Sequence, residues 1–168
     1  TIQTNGHTID RGLAKSASPK ADGEMFHVKK NATLTVIGGT LTGAYNSDGG
    51  GAIDLLDNAT LILQGVTITD NRTTDHRGGG AIRMHGDNSH VQMDADTVIS
   101  NNHALLSLEE QDYYLGGGAI SIGGENCTVI GSNTLITGNS SAYDGGGVIV
   151  EGSNCIVQGL NLQGNSTT

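Results

Sequence analysis

Three side chains in the first half of the chain have types suited to acid–base chemistry: Asp54, Arg83 and His85. Asp54 and Arg83 each follow an Ile that comes two residues after a run of three glycines, so we expect them to occupy equivalent positions in two repeats. Such a pair could supply an acid and a base for catalysis, but calcium binding or glycosidic cleavage would need further converging carboxylates. Ser121 and Val150 continue the predicted column instead. The alternative is an exposed ion pair worth at most about 1 kcal/mol.

A second set of candidate residues precedes the glycine runs and contains all four tyrosines of the chain. Its members are Tyr45, Asp48, His76, Arg77, Asp112, Tyr113, Tyr114, Tyr143 and Asp144. Aromatic rings stack on sugar C–H groups and acids accept hydrogen bonds from hydroxyls, so this set predicts a sugar-binding edge. Residues 103–115 form the longest of these turns, and long insertions on one face of a repeat protein often form its binding face. The alternative is that turns simply tolerate polar residues and insertions.

The histidines and cysteines predict no metal site and no cofactor. The six histidines show no metal-ligand spacing, and Ca²⁺ would suit Asp-rich turns but has no supporting pattern here. Cys127 and Cys155 are expected to be small buried side chains. A disulfide between them is conceivable if they lie in neighbouring repeats, although directly stacked parallel strands give poor geometry for one.

The elements that must position these side chains are revealed by internal repeats. The triplet Gly-Gly-Gly begins at Gly49, Gly78, Gly116 and Gly145, with spacings of 29, 38 and 29 residues. A second marker is an Asn followed by a small residue and, three positions on, an aliphatic residue. It begins at Asn31, Asn58, Asn88, Asn126 and Asn154. Both markers contain the same 38-residue interval, which indicates that the repeats are real.

Within each repeat, residues of equal parity should face the same side of a strand. This predicts two inward columns after the Asn marker and a third after the glycines. The columns are Ala32, Ala59, Ser89, Cys127 and Cys155; Leu34, Leu61, Val91, Val129 and Val157; and Ile53, Ile82, Ile120 and Ile149. A third marker, aliphatic-x-x-Asn, recurs at Ile68, Ile99, Ile136 and Leu162. We therefore expect three short strands per repeat, stacked asparagines, and glycines with positive φ.

These patterns predict an all-β chain that forms a right-handed parallel β-helix of about five to six coils. We expect one domain over residues 1–168, with a first coil at 1–21 and repeats starting near 22, 49, 78, 116 and 145. The end of the chain shows no amphipathic cap, so we expect this domain to be part of a longer protein or to stack against another module.

The net charge of −9 disfavours nucleic acid as a partner, and no apolar run is long enough to predict membrane insertion. The chain opens without a basic and apolar leader, so any export signal is expected to have been removed or to lie outside this sequence.

The glycine triplet followed by Ala-Ile, together with the aliphatic-x-x-Asn marker, resembles the repeats of chlamydial polymorphic outer membrane proteins, which are autotransporter passengers. The opening segment, TIQTNGHTIDRG, resembles the first coil of pectin-lyase-like modules of bacterial surface proteins. The resemblance implies a bacterial cell-surface or extracellular location and neighbouring domains in a larger parent chain. It also implies that enzymes of this fold would use clustered Asp and a basic Arg or Lys on acidic polysaccharides.

Three functions remain open from the sequence. The leading hypothesis is a non-catalytic adhesin or stalk that binds a host or microbial glycan or a surface protein, because no catalytic cluster converges. The second is a fragment of a carbohydrate-active enzyme, either a polysaccharide lyase or a hydrolase, and the third is a purely structural spacer.

Overall fold

The computed structural model describes residues 1–13, 23–105, 116–142 and 144–168. Within these ranges the chain is all-β, without a helix. The strands are β1 (Ile2–Gln3), β2 (Thr8–Asp10), β3 (Phe26–Val28), β4 (Thr33–Ile37), β5 (Thr40–Thr42), β6 (Tyr45–Asn46), β7 (Ile53–Leu55), β8 (Thr60–Gln64), β9 (Thr67–Thr69), β10 (Arg72–Thr73), β11 (Ile82–Met84), β12 (His90–Met93), β13 (Val98–Ser100), β14 (His103–Ala104), β15 (Ile120–Ile122), β16 (Thr128–Thr137), β17 (Ser140–Ser141), β18 (Val148–Val150), β19 (Ile156–Gln163) and β20 (Ser166–Thr167).

The strands form parallel stacks that together make a β-solenoid of about five coils, as the repeats predict. The first stack, which follows the glycines, contains β3, β7, β11, β15 and β18. The second begins with β1, β4, β8 and β12, and the third with β2, β5, β9 and β13; both end in the long strands β16 and β19. The fourth contains β6, β10, β14, β17 and β20. This fourth stack was not predicted, because strands of two residues are too short to show a period.

The predicted inward columns form the core in the middle coils. Ile53, Ile82 and Ile120 are fully buried, and in the second stack Leu61 and Val129 are too. The last coil departs from the prediction, because Val148 rather than Ile149 is the register partner of Ile120.

Val148 packs against the core, while Ile149 stands opposite the outward Ser121. Val150 was expected to continue the column of Arg83 and Ser121, but Ile149 occupies that position instead. A shift of one residue turns every side chain of a strand to the opposite face. Placing the last glycine triplet one residue out of register therefore gave the wrong facing for both Ile149 and Val150.

The glycine triplets are required by close backbone approach rather than by positive φ. Within the triplets only Gly145, at +62°, lies clearly in the left-handed region. A Cβ added to Gly80 would lie 2.2 Å from the carbonyl oxygen of Gly118 in the next coil and 2.6 Å from the amide nitrogen of His103. At Gly51 the equivalent atom would lie 2.0 Å from the Gly80 oxygen. The corner between the fourth and first stacks therefore has no room for a side chain.

Positive φ is supplied by glycines outside the triplets and by the asparagines that precede β4, β8, β12, β16 and β19. Asn31, Asn58, Asn88, Asn126 and Asn154 have φ values between 54° and 60°. Asparagine tolerates the left-handed region better than other residues with a side chain. These asparagines therefore shape the turn, and the predicted asparagine stacking is found in another set.

That set is the asparagine of the aliphatic-x-x-Asn marker, and we call it the amide ladder: Asn71, Asn102, Asn139 and Asn165. The Oδ1 atom of Asn102 accepts from the backbone nitrogen and from Nδ2 of Asn71, each at 3.0 Å. Asn102 in turn donates through the same two groups to Oδ1 of Asn139, and Asn139 does so to Asn165.

Each Nδ2 also contacts carbonyls of the third stack; Asn102 reaches Ile68 and Ser100. Asn71, Asn102 and Asn139 are completely buried, so the ladder satisfies buried donors and acceptors at every coil boundary it crosses.

Replacing Asn102 with Ala is expected to lower the free energy of unfolding by about 3–5 kcal/mol. The change removes the acceptor for two donors of Asn71 and the donor to the carbonyls of Ile68 and Ser100. Each buried group left unpaired costs about 1–3 kcal/mol. Urea-induced unfolding measures the difference, and Gln92→Ala, which removes an exposed amide from β12, should change it by no more than about 0.5 kcal/mol. A loss below about 1 kcal/mol for Asn102→Ala would contradict the assigned role of the ladder.

Replacing Gly80 with Ala should cost several kcal/mol or prevent folding, because the new Cβ meets backbone atoms of the adjacent coil that cannot move independently. Gly123→Ala is the matched control, since its Cβ would have no atom within 4 Å and its φ is not positive. We expect the control to leave stability unchanged or to raise it by about 0.4–1 kcal/mol. Thermal unfolding followed by circular dichroism compares the two, and equal midpoints would contradict the steric account.

Candidate functional site

The outer surface of the fourth stack aligns four polar or aromatic side chains, which we call the edge column: Tyr45, Arg72, His103 and Ser140. They are register partners in successive coils, so they repeat at about the 4.8 Å spacing of paired strands. The alternate residues face inward: Asn46, Thr73, Ala104 and Ser141 are buried. Alternation along strands of only two residues therefore places the edge column outside.

The turns after these strands carry further candidates and have a common design. Asn46 and Thr73 accept the backbone N–H of Asp48 and Asp75 respectively, through Oδ1 at 3.1 Å and Oγ1 at 3.0 Å. The hydroxyl of Thr73 also donates to the carbonyl of Gly49, which begins the same coil, at 2.7 Å. The inward residue of each strand thus fixes the turn.

Five members of the predicted sugar-binding set lie within the described residues, and all of them lie on or after the fourth stack. Tyr45 is half-buried, Asp48, Arg77 and Asp144 are exposed, and His76 is half-buried. The topology places them along the predicted edge of the solenoid. Asp112, Tyr113, Tyr114, Tyr143 and most of the 103–115 insertion lie outside the described residues.

Arg83 does not pair with Asp54, although the two are register partners as predicted. Its Nη1 atom donates to Oδ2 of Asp75 at 2.7 Å instead. Asp75 is 6% exposed, and its Oδ1 atom accepts the backbone N–H of Arg77 at 2.7 Å. The turn that follows Asp75 has two residues more than the equivalent turn after Asp48, which brings the Asp75 carboxylate to the side chain of Arg83.

Other charged side chains lie near this ion pair. Nε of Arg83 is buried without a hydrogen-bond partner among the described residues. Burial raises the pKa of the nearby Glu151 carboxyl above its usual value, and the positive charges of Arg77 and Arg83 oppose that rise.

Asp54 was predicted to be exposed, but its side chain is only 6% exposed. Its Oδ2 atom lies 3.5 Å from Nδ1 of His27, and its Oδ1 atom lies 3.4 Å from Nδ1 of His85. Glu24 approaches the same nitrogen of His27 at 3.2 Å. The structure therefore brings together Asp54 and His85 of the candidate acid–base group, and leaves Arg83 with another partner.

Glu24 and His27 were missed from the sequence, and so was the contact of Asp75 with Arg83. His27 is the register partner of Asp54, but the repeat that contains it has no glycine triplet and so was not aligned with the others. Phe26, which pairs with Ile53, was the available signal.

His103 lies in the edge column and is partly desolvated. Its Nδ1 atom lies 2.7 Å from Oγ of Ser140. Burial lowers the pKa of His103, and the positive charge of Arg72 lowers it further, whereas Asp70 acts in the opposite direction. The neutral imidazole is therefore favoured in the folded protein, and this contribution to stability is lost as the pH falls below the ordinary value near 6.5.

In the part of the chain that the structure describes, no three His, Cys, Asp or Glu side chains are grouped so that they could hold a metal ion. A separate search of the same residues found no helix with the length and hydropathy of a membrane span. Comparisons of the chain with protein-family models, with curated proteins and with solved structures found no match.

Replacing Asp75 with Asn should lower the free energy of unfolding by about 2–3 kcal/mol, because it leaves the Arg83 guanidinium partly buried without its counter-charge. Asp48→Asn is the matched control, since Asp48 holds the equivalent position one coil earlier but is exposed. We expect the control to change stability by at most about 0.5 kcal/mol. Urea unfolding of both variants gives the comparison, and equal effects would show that the Asp75–Arg83 pair contributes no more than a surface charge.

Proposed function

We propose that this domain is a non-catalytic binding module of a bacterial surface or secreted protein, an adhesin, that holds a glycan along the edge of the fourth stack. The observation that carries the proposal is the edge column, in which an aromatic ring, a guanidinium, an imidazole and a hydroxyl are presented outward in register.

The chemistry of this edge suits a saccharide. The half-buried ring of Tyr45 offers a fixed apolar surface for sugar C–H groups, and the neighbouring polar groups fix orientation. The side chains of Arg72 and Arg77 are exposed and make no hydrogen bond or ion pair with a described residue, so their donors are available to hydroxyl or carboxylate oxygens. Asp48 and Asp144 supply exposed acceptors on the same edge.

A repeating ligand also suits a repeating protein surface. The edge column advances by one strand spacing per coil, and coil-to-coil hydrogen bonds hold its backbone, so little ordering is required on binding. The predicted location at a bacterial surface rests on the resemblance of the repeats to polymorphic outer membrane proteins.

The geometry around Asp54 gives no support to the enzyme hypothesis. Both carboxylate oxygens of Asp54 lie against imidazole nitrogens, and its side chain is 6% exposed, so it is not presented to a polysaccharide. Arg83, the proposed base, is held by Asp75.

A glycan array tests the proposal. The purified domain should bind a restricted set of glycans, and the double variant Arg72→Gln/Arg77→Gln should lose at least about tenfold in affinity, equal to about 1.4 kcal/mol. Tyr113→Ala/Tyr114→Ala extends the test to the insertion. Gln92→Ala, on the outer face of the second stack, should bind like the wild type, and thermal unfolding should be unchanged in all three variants.

If both double variants bind glycans as the wild type does, the binding site does not lie on this edge. A wild-type domain that binds nothing on the array would favour a stalk or spacer. Release of new reducing ends, or of unsaturated products, from acidic polysaccharides would overturn the non-catalytic proposal.

A further inference from the structure

The first inward position of the second stack places Ser89, Cys127 and Cys155 in three successive coils. His90, Thr128 and Ile156, which immediately follow them, are register partners, so the three residues are neighbours across the strands. The Oγ atom of Ser89 lies 3.3 Å from Sγ of Cys127. Both cysteines are free thiols in the structure.

We propose that Cys127 and Cys155 form a disulfide when the domain meets an oxidant, and that this bond joins the last coil to the coil before it. Paired strands lie about 4.8 Å apart, which falls within the Cα separation of about 4.4–6.8 Å that disulfides span.

The two thiols have equivalent surroundings. Sγ of Cys127 lies 3.3 Å from the carbonyl oxygen of Gly86, and Sγ of Cys155 lies 3.3 Å from that of Gly124. Each sulfur also lies near the carbonyl oxygen two residues before it, at 3.5 Å for Cys127 and 3.6 Å for Cys155. The side chains therefore run side by side. Because the Cβ atoms of stacked residues are about a strand spacing apart, farther than the roughly 3.5–4.5 Å of a disulfide, bond formation needs a change of χ1 and a small approach of the last coil, but no change of register.

The two thiols differ in their exposure. Cys127 is fully buried, whereas Cys155 is only partly buried. The residues that follow Cys155 are open as well: Ile156 is 54% exposed and Val157 is 38% exposed. Cys155 is therefore the more accessible of the two thiols in this chain.

The same difference in burial sets the order of the reaction with a small disulfide such as oxidised glutathione. The accessible Cys155 loses its proton and attacks one glutathione sulfur, which forms a mixed disulfide and releases one glutathione thiolate. Cys127 then loses its proton and attacks Sγ of Cys155, which forms the Cys127–Cys155 bond and releases the second glutathione. The two protein thiols lose two electrons and two protons, and oxidised glutathione is reduced to two thiols. Burial raises the pKa of Cys127, which makes this thiol a poor first nucleophile.

The experiment oxidises the reduced chain with glutathione disulfide, blocks remaining thiols with iodoacetamide and measures the intact mass. The wild type should become a monomer without glutathione or alkyl groups, lighter than the reduced form by two hydrogens. Cys127→Ser should keep one glutathione on Cys155, because no second thiol can release it. In Cys155→Ser, Cys127 should remain largely unmodified. Ser89 already occupies this column, so serine is expected to fit in both variants.

A wild-type chain that keeps bound glutathione, two alkylated cysteines or a disulfide-linked dimer would overturn the proposal. Limited proteolysis adds a structural measurement. Cleavage within residues 156–168 should slow several-fold on oxidation, recover with a reductant and stay unchanged in Cys127→Ser. Equal cleavage rates in the reduced and oxidised wild type would show that the bond does not hold the last coil.

Discussion

The amide ladder is the interaction on which the rest of the solenoid depends. The side-chain amide of a buried asparagine has donor and acceptor atoms that water cannot reach. Each of these atoms must therefore find a hydrogen-bond partner within the protein. Asn102 satisfies its own through Asn71 in one direction and Asn139 in the other, and it also contacts two carbonyls of the third stack. A coil that slipped by one residue would break all of these contacts together. The ladder therefore fixes register together with the aliphatic columns, which supply most of the buried apolar surface and would turn outward if a coil slipped by one residue.

Register at the ladder also affects the nearby corner between the fourth and first stacks, where the added Cβ of Gly80 would meet His103, the residue after Asn102. Once successive coils are held at strand spacing, the chain passing from the fourth stack into the first comes within van der Waals contact of its neighbour's backbone. Gly80 lies there between Gly118 and His103, where a methyl group would collide with main-chain atoms. The glycine triplet and the asparagine ladder are thus two sides of one constraint. The triplet allows the backbones of successive coils to come close together, and the ladder determines the register in which they do so.

The coil repeat and most of the inward columns could be predicted from the sequence, because parity and spacing are properties of the strand itself. The register of Val148 could not, because residues 144–147 contain three consecutive glycines, and the sequence does not show which of them lies at the corner. The partner of Arg83 could not be predicted either. The turn after Asp75 is two residues longer than its counterpart, and the Asp75 carboxylate contacts Arg83. The length of a turn does not show in which direction its side chains point.

The candidate site was less predictable than the fold for a related physical reason. The exposure of Asp54 depends on the segment around Glu24 and His27, which lacks the glycine marker, so the sequence placed in solvent a carboxylate that is covered. The edge column was found only in part, since Tyr45 was recognised by its type, but its alignment with Arg72 and His103 depends on a stack of two-residue strands.

The fourth stack divides two tasks between adjacent residues: the inward residues hold each coil closed, and the outward residues form the surface. The inward residues, Thr73 and Ser141, donate through their hydroxyls to the carbonyls of Gly49 and Gly116 and so close their coils. The outward residues that alternate with them, Arg72 and Ser140, are not needed for that closure. Side chains on the edge column can therefore change without disturbing the hydrogen bonds that hold its backbone, because strand alternation directs adjacent residues to opposite faces. A solenoid with this arrangement can vary its outward side chains while the ladder, the glycine corner and the core stay the same.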